Sequence, residues 1–206
     1  LANLSKLNHL GLSNLGLTGD FPGWALGLEE LTSLYLNGNL FSGPYPAELA
    51  DSELTTLGLS PTIDGDSSVP TWIADMDNLE VLGLNGFTGP FPAFVAEMNL
   101  RSLGMETNHF TGSVPAALWD NPNLESMTIV DDTLALALPA PEDVDLPILH
   151  GLRLLGRHFT GDAAALGRMT ALQGLYVQDT AITGSVSWRT DLPLLDFAFL
   201  YGNGFS

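Results

Sequence analysis

The sequence predicts an α/β solenoid, because one short phrase recurs along the whole chain. A leucine ladder of the form L-x-x-L-x-L returns every 21 to 25 residues, a Phe/Leu-Thr/Ser-Gly turn follows most ladders, and an apolar residue with proline comes next. Self-similarity at a period of roughly 20 to 50 residues is the mark of stacked repeat architectures. We therefore expect residues 1–206 to form a single solenoid rather than several globular domains.

The ladders divide the chain into about nine units. Their first leucines are Leu7, Leu31, Leu54, Leu79, Leu100, Leu124, Leu149, Leu172 and Leu195. The end of each ladder alternates with a period of two residues, which is typical of a short strand with its leucines inward and the intervening side chains outward. At about 4.8 Å per stacked strand, nine units predict a rod roughly 40 Å long.

Three residues past the ladder, an asparagine side chain can pair the backbone of the turn. Asparagine occupies this position in units two, five and nine, as Asn39, Asn108 and Asn203. An amide offers both donors and an acceptor to backbone groups that would otherwise be buried without partners. We expect Asp132, Thr62 and Thr180 to take part of this role in units six, three and eight.

Proline marks the end of the second extended segment in six units, because it lacks a backbone donor. These prolines are Pro22, Pro46, Pro70, Pro92, Pro115 and Pro139. A stretch such as residues 115–119 then predicts one 3₁₀ or helical turn on the outer side. Unit three replaces the Thr-Gly phrase with residues 64–68, and unit four lacks two residues of the turn. We therefore predict irregular stacking around these two units.

This pattern resembles the plant-type leucine-rich repeat (LRR), L-x-x-L-x-L-x-x-N-x-L-T-G-x-I-P, of receptor-kinase ectodomains and polygalacturonase-inhibitor-like proteins. The resemblance extends over essentially all 206 residues. It implies a curved, right-handed superhelix with a parallel sheet on the concave face and short 3₁₀ or helical turns on the convex side. It also implies an extracellular or cell-surface protein that recognises peptides, proteins or glycans. Plant ectodomains usually carry paired cysteines in their caps, and this chain has no cysteine.

The ends of the chain lie inside repeats. Solenoid ends need polar caps, whereas residues 1–7 already form a ladder and Phe205 and Ser206 continue a turn. We expect a segment truncated mid-repeat at both ends and capped by flanking domains or neighbouring chains.

Asn3-Leu4-Ser5 is the only N-glycosylation sequon. No apolar run approaches the roughly 20 residues of a membrane span.

The chain is strongly acidic, with a net charge of −18. Residues 1–150 hold 20 Asp and Glu against Lys6 and Arg101, whereas residues 151–206 hold four acidic and four basic side chains. Such a surface repels nucleic acid phosphates, so DNA and RNA are excluded as partners. The charge is explained either by solubility, including in a saline habitat, or by attraction of cations or a basic partner.

The residues between the ladder leucines form three columns on the predicted concave face. In the early units the side chains of these columns are small and polar, but in the last units they are large and apolar, aromatic or cationic. A group of large apolar side chains exposed on a sheet face indicates a binding site. Tyr and Arg also dominate binding hot spots. We predict a ligand patch of Arg153, Leu155, Tyr176, Gln178, Phe197, Phe199 and Tyr201, with Tyr35 as an earlier aromatic member.

Two alternatives to a ligand patch stay open at the sequence level. The aromatic side chains could pack on a neighbouring domain, or the final unit could be out of register, since a slip of one residue reverses every side chain. A glycine track of Gly58, Gly83 and Gly104 in the central column either relieves crowding or leaves a groove floored by backbone.

Metal binding and catalysis have little support in the sequence. The acidic loops at residues 64–66, 131–132 and 142–145 do not match the spacing of a calcium loop. The four histidines fall at unrelated repeat positions, and no nucleophile elbow, zinc-protease or phosphate-loop motif is present. We therefore expect no cofactor and no enzyme, but a recognition module for a protein, peptide or glycan. The alternative is a structural subunit of a wall, sheath or filament.

Overall fold

The computed structural model describes residues 4–206, so Asn3 of the sequon lies outside the described residues. Within residues 4–206, nine strands form one parallel sheet in chain order, one strand per unit. These strands are β1 (His9–Gly11), β3 (Ser33–Tyr35), β5 (Thr56–Leu59), β6 (Val81–Asn85), β8 (Ser102–Thr111), β9 (Ser126–Asp131), β11 (Gly151–Leu155), β13 (Gly174–Gln178) and β15 (Phe197–Phe199). The predicted α/β solenoid with a parallel sheet is confirmed.

Short strands of the second extended segment pair beside this main sheet. They are β2 (Thr18–Asp20), β4 (Leu40–Ser42), β7 (Thr88–Pro90), β10 (Leu136–Ala137), β12 (Phe159–Thr160), β14 (Thr183–Gly184) and β16 (Gly204–Phe205). The pairs are β2 with β4, β7 with the end of β8, β10 with β12, and β14 with β16, all parallel.

Eight 3₁₀ helices lie within the described residues, one on the outer side of each of the first eight units. They span Gly23–Gly27, Ala47–Asp51, Thr71–Asp75, Ala93–Ala96, Ala116–Asp120, Pro141–Asp143, Ala163–Arg168 and Ser187–Asp191. Five of them begin directly after one of the predicted prolines, which confirms that proline ends the second extended segment. In unit seven, where proline is missing, the Asp162 carboxylate accepts from the Ala164 N–H at 2.9 Å and caps the helix instead.

The register of the main sheet follows the predicted repeat. Leu10 lies beside Leu34, and the same ladder position continues across the sheet until Ala198 pairs with Leu175. The last unit is therefore in register, and Phe197 and Phe199 project from the concave face rather than into the core. Ladder leucines such as Leu34 and Leu57 are fully buried. Each such side chain contributes about 1.5–3 kcal/mol by removal from water.

Asparagine pairs the turn backbone as predicted. The Asn108 side chain is 1 % exposed, donates to the Leu84 carbonyl at 2.8 Å and accepts from the Phe87 N–H at 2.8 Å. Asn39 and Asn203 make the equivalent bonds to the turns of the preceding units, one and eight.

The prediction for unit six was wrong by one residue. Asp131, not Asp132, is buried in the turn, where its carboxylate accepts from the N–H groups of Phe110, Thr133 and Leu134 at 3.0, 2.7 and 2.9 Å. Unit six has one residue fewer before this position than units two, five and nine, so the register shifts between Glu106 and Asn108, and Asn108 pairs with Asp131. Asp132 instead lies on the surface.

The predicted irregularity is confined to unit three. The main sheet continues without a bulge from β5 through β6 to β8. Unit three has no second strand, so the row of short strands is interrupted between β4 and β7, and the loop at residues 61–68 lies in the gap.

Tyr45 is a buried phenol at this irregular junction, and it predicts an alkaline loss of stability. Its hydroxyl donates to the Ser60 carbonyl at 2.8 Å, and burial raises its pKa to about 12 from the ordinary 10.0. Because the folded pKa is raised, the stability that the neutral Tyr45 phenol contributes is complete below pH 10 and is lost as the pH rises through 12. We expect the free energy of unfolding to fall by about 2–3 kcal/mol over this range.

Denaturant unfolding of the wild type and Tyr45→Phe at several alkaline pH values measures this loss. Below pH 10 the free energy of unfolding of Tyr45→Phe should be lower than that of the wild type by about 1 kcal/mol, because the hydrogen bond is lost. It should decline less steeply as the pH rises. Tyr35→Phe, which removes an exposed phenol, is the control. Parallel curves for the wild type and Tyr45→Phe would contradict the assignment.

Candidate ligand-binding surface

Three aromatic rings meet on the concave face at the last two strands of the sheet. Tyr176 of β13 stacks on Phe199 of β15 with ring centroids 5.0 Å apart and planes 7° apart. Phe197 packs against Tyr176 edge to face at 5.3 Å. Phe197, Phe199 and the neighbouring Tyr201 are 43 %, 46 % and 58 % exposed. We call these four residues the aromatic patch.

A glycine in the adjacent strand, β13, allows the Phe197 ring to pack in this way. A Cβ built on Gly174 would lie 2.5 Å from Cζ of Phe197, so the Phe197 ring lies directly over the Gly174 backbone. Gly174 and Phe197 are register partners on adjacent strands. The small residue therefore seats the ring against the sheet, beside Tyr176.

Gln178 supports the patch from below. It is only 8 % exposed, and its amide oxygen accepts a hydrogen bond from the Tyr201 hydroxyl at 2.9 Å. The side chain therefore positions Tyr201 and offers little surface of its own. Its neighbour Leu155, which is half-buried, is its register partner on β11.

Arg153 brings a cation to the edge of the patch. It lies opposite Tyr176 in the register of β11 and β13. Its Nη1 is 3.4 Å from Oε1 of Glu106, two strands away, and the two side chains are 39 % and 46 % exposed. An ion pair this exposed is worth little, so Arg153 can turn to another acceptor. Glu106 was predicted to lie on the concave face but not in the ligand patch, since a lone Glu in a polar column gives no signal.

The structure does not bring Tyr35 to the other predicted residues. Tyr35 is 41 % exposed on β3, and five strands separate it from Tyr176 on β13. Six steps of about 4.8 Å put them about 29 Å apart along the sheet. The predicted site residues thus form one cluster of seven near the last strands and one isolated tyrosine.

The middle of the concave face is floored by backbone. A Cβ on Gly58 would collide with Tyr35 and Asn37, whose side chains lean over it. A Cβ on Gly83 or Gly104 would meet nothing closer than 3.8 Å or 3.9 Å. Crowding therefore explains Gly58 alone, and the face is shallow and open at Gly83 and Gly104.

Solved structures share this architecture. The LRR ectodomain of the Arabidopsis receptor kinase HAESA, in complex with an N-terminal extended IDA peptide hormone ligand, superposes with a TM-score of 0.80 at 27 % identity, over 95 % of this chain and 34 % of that chain. The LRR ectodomain of GASSHO1/SCHENGEN3 from Arabidopsis thaliana, in complex with CASPARIAN STRIP INTEGRITY FACTOR 2, gives 0.72 at 25 % identity, over 98 % and 25 %. This chain has the leucine-rich-repeat fold.

The LRR fold also occurs in bacterial proteins that resemble this structure. An LRR protein of Leptospira interrogans superposes with a TM-score of 0.73 at 22 % identity, over 99 % of this chain and 51 % of that chain, which speaks for the fold alone. The chain thus spans a quarter to a half of the length of these three proteins. No protein-family profile and no curated protein sequence matches it.

Metal-binding clusters and membrane spans are both missing from the described part of the LRR solenoid. Residues 4–206 contain no group of three or more His, Cys, Asp or Glu side chains arranged to hold a metal ion. No helix among these residues has the length and hydropathy needed to cross a bilayer.

Proposed function

We propose that this LRR solenoid is a non-enzymatic recognition module that binds a peptide or an extended protein segment on its concave face. The observation that carries the proposal is the aromatic patch, with three rings packed together on the open face of the sheet. Aromatic side chains with Arg at their edge are the groups that dominate binding hot spots. The fold alone would not locate a site, because every unit presents a similar face.

The shape of the concave face suits an extended ligand. Beyond Arg153 the central column falls to Thr128, Gly104 and Gly83, so a chain anchored on the rings can continue across the strands close to the backbone. The ring faces of Tyr176 and Phe199 would take an apolar or planar anchor side chain, and Arg153 would take a carboxylate or carbonyl.

The structural neighbours support this class of ligand and the location. The HAESA ectodomain is solved with a peptide hormone, and the GASSHO1/SCHENGEN3 ectodomain, from a plant membrane receptor kinase, is also solved in a complex. We infer by analogy that this chain works outside the cell or at the cell surface. A glycan is the alternative ligand for the same patch, because sugar rings also stack on aromatic faces.

A random 12-residue peptide library, displayed and selected on the wild-type chain, tests the proposal. We expect enriched peptides to bind Phe199→Ala about 30-fold more weakly, as for a hot-spot side chain worth about 2 kcal/mol. Titration calorimetry on the resynthesised peptides measures this loss. Tyr35→Ala is the matched control, since it removes an equally exposed ring from the same face, and it should change the affinity by no more than about two-fold.

Equal binding to the wild type and Phe199→Ala would overturn the assignment of the patch. If no peptide is enriched and light scattering shows oligomers that persist in Phe199→Ala, the chain is a structural subunit instead. A stable monomer that selects patch-dependent peptides would support recognition.

A further inference from the structure

A cavity of about 380 Å³ opens on the flank of the solenoid at unit three, apart from the concave columns. Its walls are mostly apolar and include the rings of Pro44, Pro61, Pro70 and Trp72, and Asp66 brings the one ionisable carboxylate to the lining. Its volume lies within the range of about 300–1,000 Å³ that is common for ligand sites. Unlike the aromatic patch, it was not foreseen from the sequence.

The cavity exists because unit three breaks the repeat. The other second segments form short parallel pairs, but here the loop at residues 61–68 fills the gap between β4 and β7. The loop is tied to both neighbours, since the Ile63 N–H donates to the Phe41 carbonyl and the Thr88 N–H donates to the Ser67 carbonyl, both at 2.8 Å. The wall it forms is therefore held on both sides.

Asp66 is a solvent-exposed, ionised acceptor in this lining. Its Oδ1 accepts from the Ser68 N–H at 2.9 Å, and this bond holds the pKa of the carboxyl below its ordinary value of 3.8. The ion pairs of the described residues involve Arg101, Arg153 and Arg157, so the Asp66 carboxylate is free of a cationic partner. A carboxylate can only accept hydrogen bonds, so its partner must be a donor.

The charge around the cavity selects the kind of donor. Lys6 is the only Lys or Arg among the first 100 residues, which belong to a chain of net charge −18. A cation is therefore attracted to this flank over a distance of about one Debye length, whereas a neutral donor is not. The indole of Trp72 and the proline rings also suit the aliphatic stem of a long basic side chain, which buries its methylenes and keeps its charged end near a carboxylate.

We propose that this flank cavity binds a lysine or arginine side chain of a peptide partner. The aliphatic stem lies against Trp72 and the proline rings, and the cationic end donates to Asp66. The site is separate from the concave face, so this proposal does not depend on ligand binding at the aromatic patch. It would allow a partner that wraps around the edge of the solenoid to be anchored at two places.

NMR titration of the ¹⁵N-labelled chain tests the proposal with defined probes. The probes are acetyl-Gly-Arg-Gly-amide and acetyl-Gly-Lys-Gly-amide, with acetyl-Gly-Gln-Gly-amide as the neutral analogue. We expect saturable shifts of the Trp72 indole N–H and the Ser68 amide with at least one basic probe. Asp66→Asn should weaken binding about five-fold, because Asn keeps an oxygen for the Ser68 N–H but loses the charge. Asp64→Asn, in the same loop but outside the lining, should change the affinity for the basic probe by no more than about 1.5-fold.

Three results would overturn the proposal. They are equal shifts with the neutral analogue, equal losses in Asp66→Asn and Asp64→Asn, and no shift with either basic probe at about 20 mM. Glucose is titrated in parallel, and saturable shifts at Trp72 with glucose alone would make the cavity a sugar site instead. Weakening of the basic probes in 1 M NaCl would support the ionic contact.

Discussion

Trp119→Ala is expected to lower the free energy of unfolding by about 3–5 kcal/mol. Trp119 lies in the fifth 3₁₀ helix and is 1 % exposed, the largest side chain among those that are fully buried. Its removal leaves a large cavity in the continuous core that joins neighbouring units. The backbone carbonyl of residue 119 accepts from the Asp145 N–H at 2.9 Å, and this bond is unaffected by the substitution.

Urea unfolding followed by circular dichroism measures the effect of Trp119→Ala. In a solenoid each unit contacts only its neighbours, so a weakened unit can also split one transition into two. Trp24→Ala is the matched control, because Trp24 lies in the first 3₁₀ helix but is 39 % exposed. Its loss should be about 1 kcal/mol or less. Equal losses for the two variants would contradict a core role for Trp119.

The regular part of the fold was predictable because burial repeats with the ladder. Leucine at alternate ladder positions can be buried only if each strand stacks in register, so the positions of Leu34 and Leu57 in the sequence already define the sheet. The turn is less strictly specified. Unit six lacks one residue between its ladder and its turn, which moves the buried carboxylate from Asp132 to Asp131, and counting the period from ladder to ladder cannot detect such a local change.

The candidate sites show the same division. Strand alternation placed Tyr176 and Phe199 on the concave face, because that follows from a period of two residues. It could not show that Tyr35 is isolated or that Gln178 is buried beneath Tyr201, since these facts depend on distances between strands and on side-chain conformations. The flank cavity had one signal in the sequence, the altered turn of unit three, which predicted irregularity but not a space beside Asp66.

Asn108→Ala is expected to cost about 2–4 kcal/mol of stability, although it removes only a small side chain. The substitution leaves the Phe87 N–H and the Leu84 carbonyl without the partner they have in the core. Each buried group left unpaired costs about 1–3 kcal/mol. Urea unfolding measures the loss, and Asn123→Ala, which changes an exposed amide, should stay within about 0.5 kcal/mol.

The chemistry of the two buried turn residues makes a sharper test, because Asn108 and Asp131 should not be interchangeable. Asn108 both donates and accepts, so Asn108→Asp would set a carboxylate oxygen against the Leu84 carbonyl. Asp131 only accepts, through both oxygens, so Asp131→Asn would set an amide N–H against a backbone N–H or leave one unpaired. We expect each exchange to destabilise the chain by about 1–3 kcal/mol. If either exchange is neutral, the turn does not depend on these hydrogen bonds, and packing alone holds the units together.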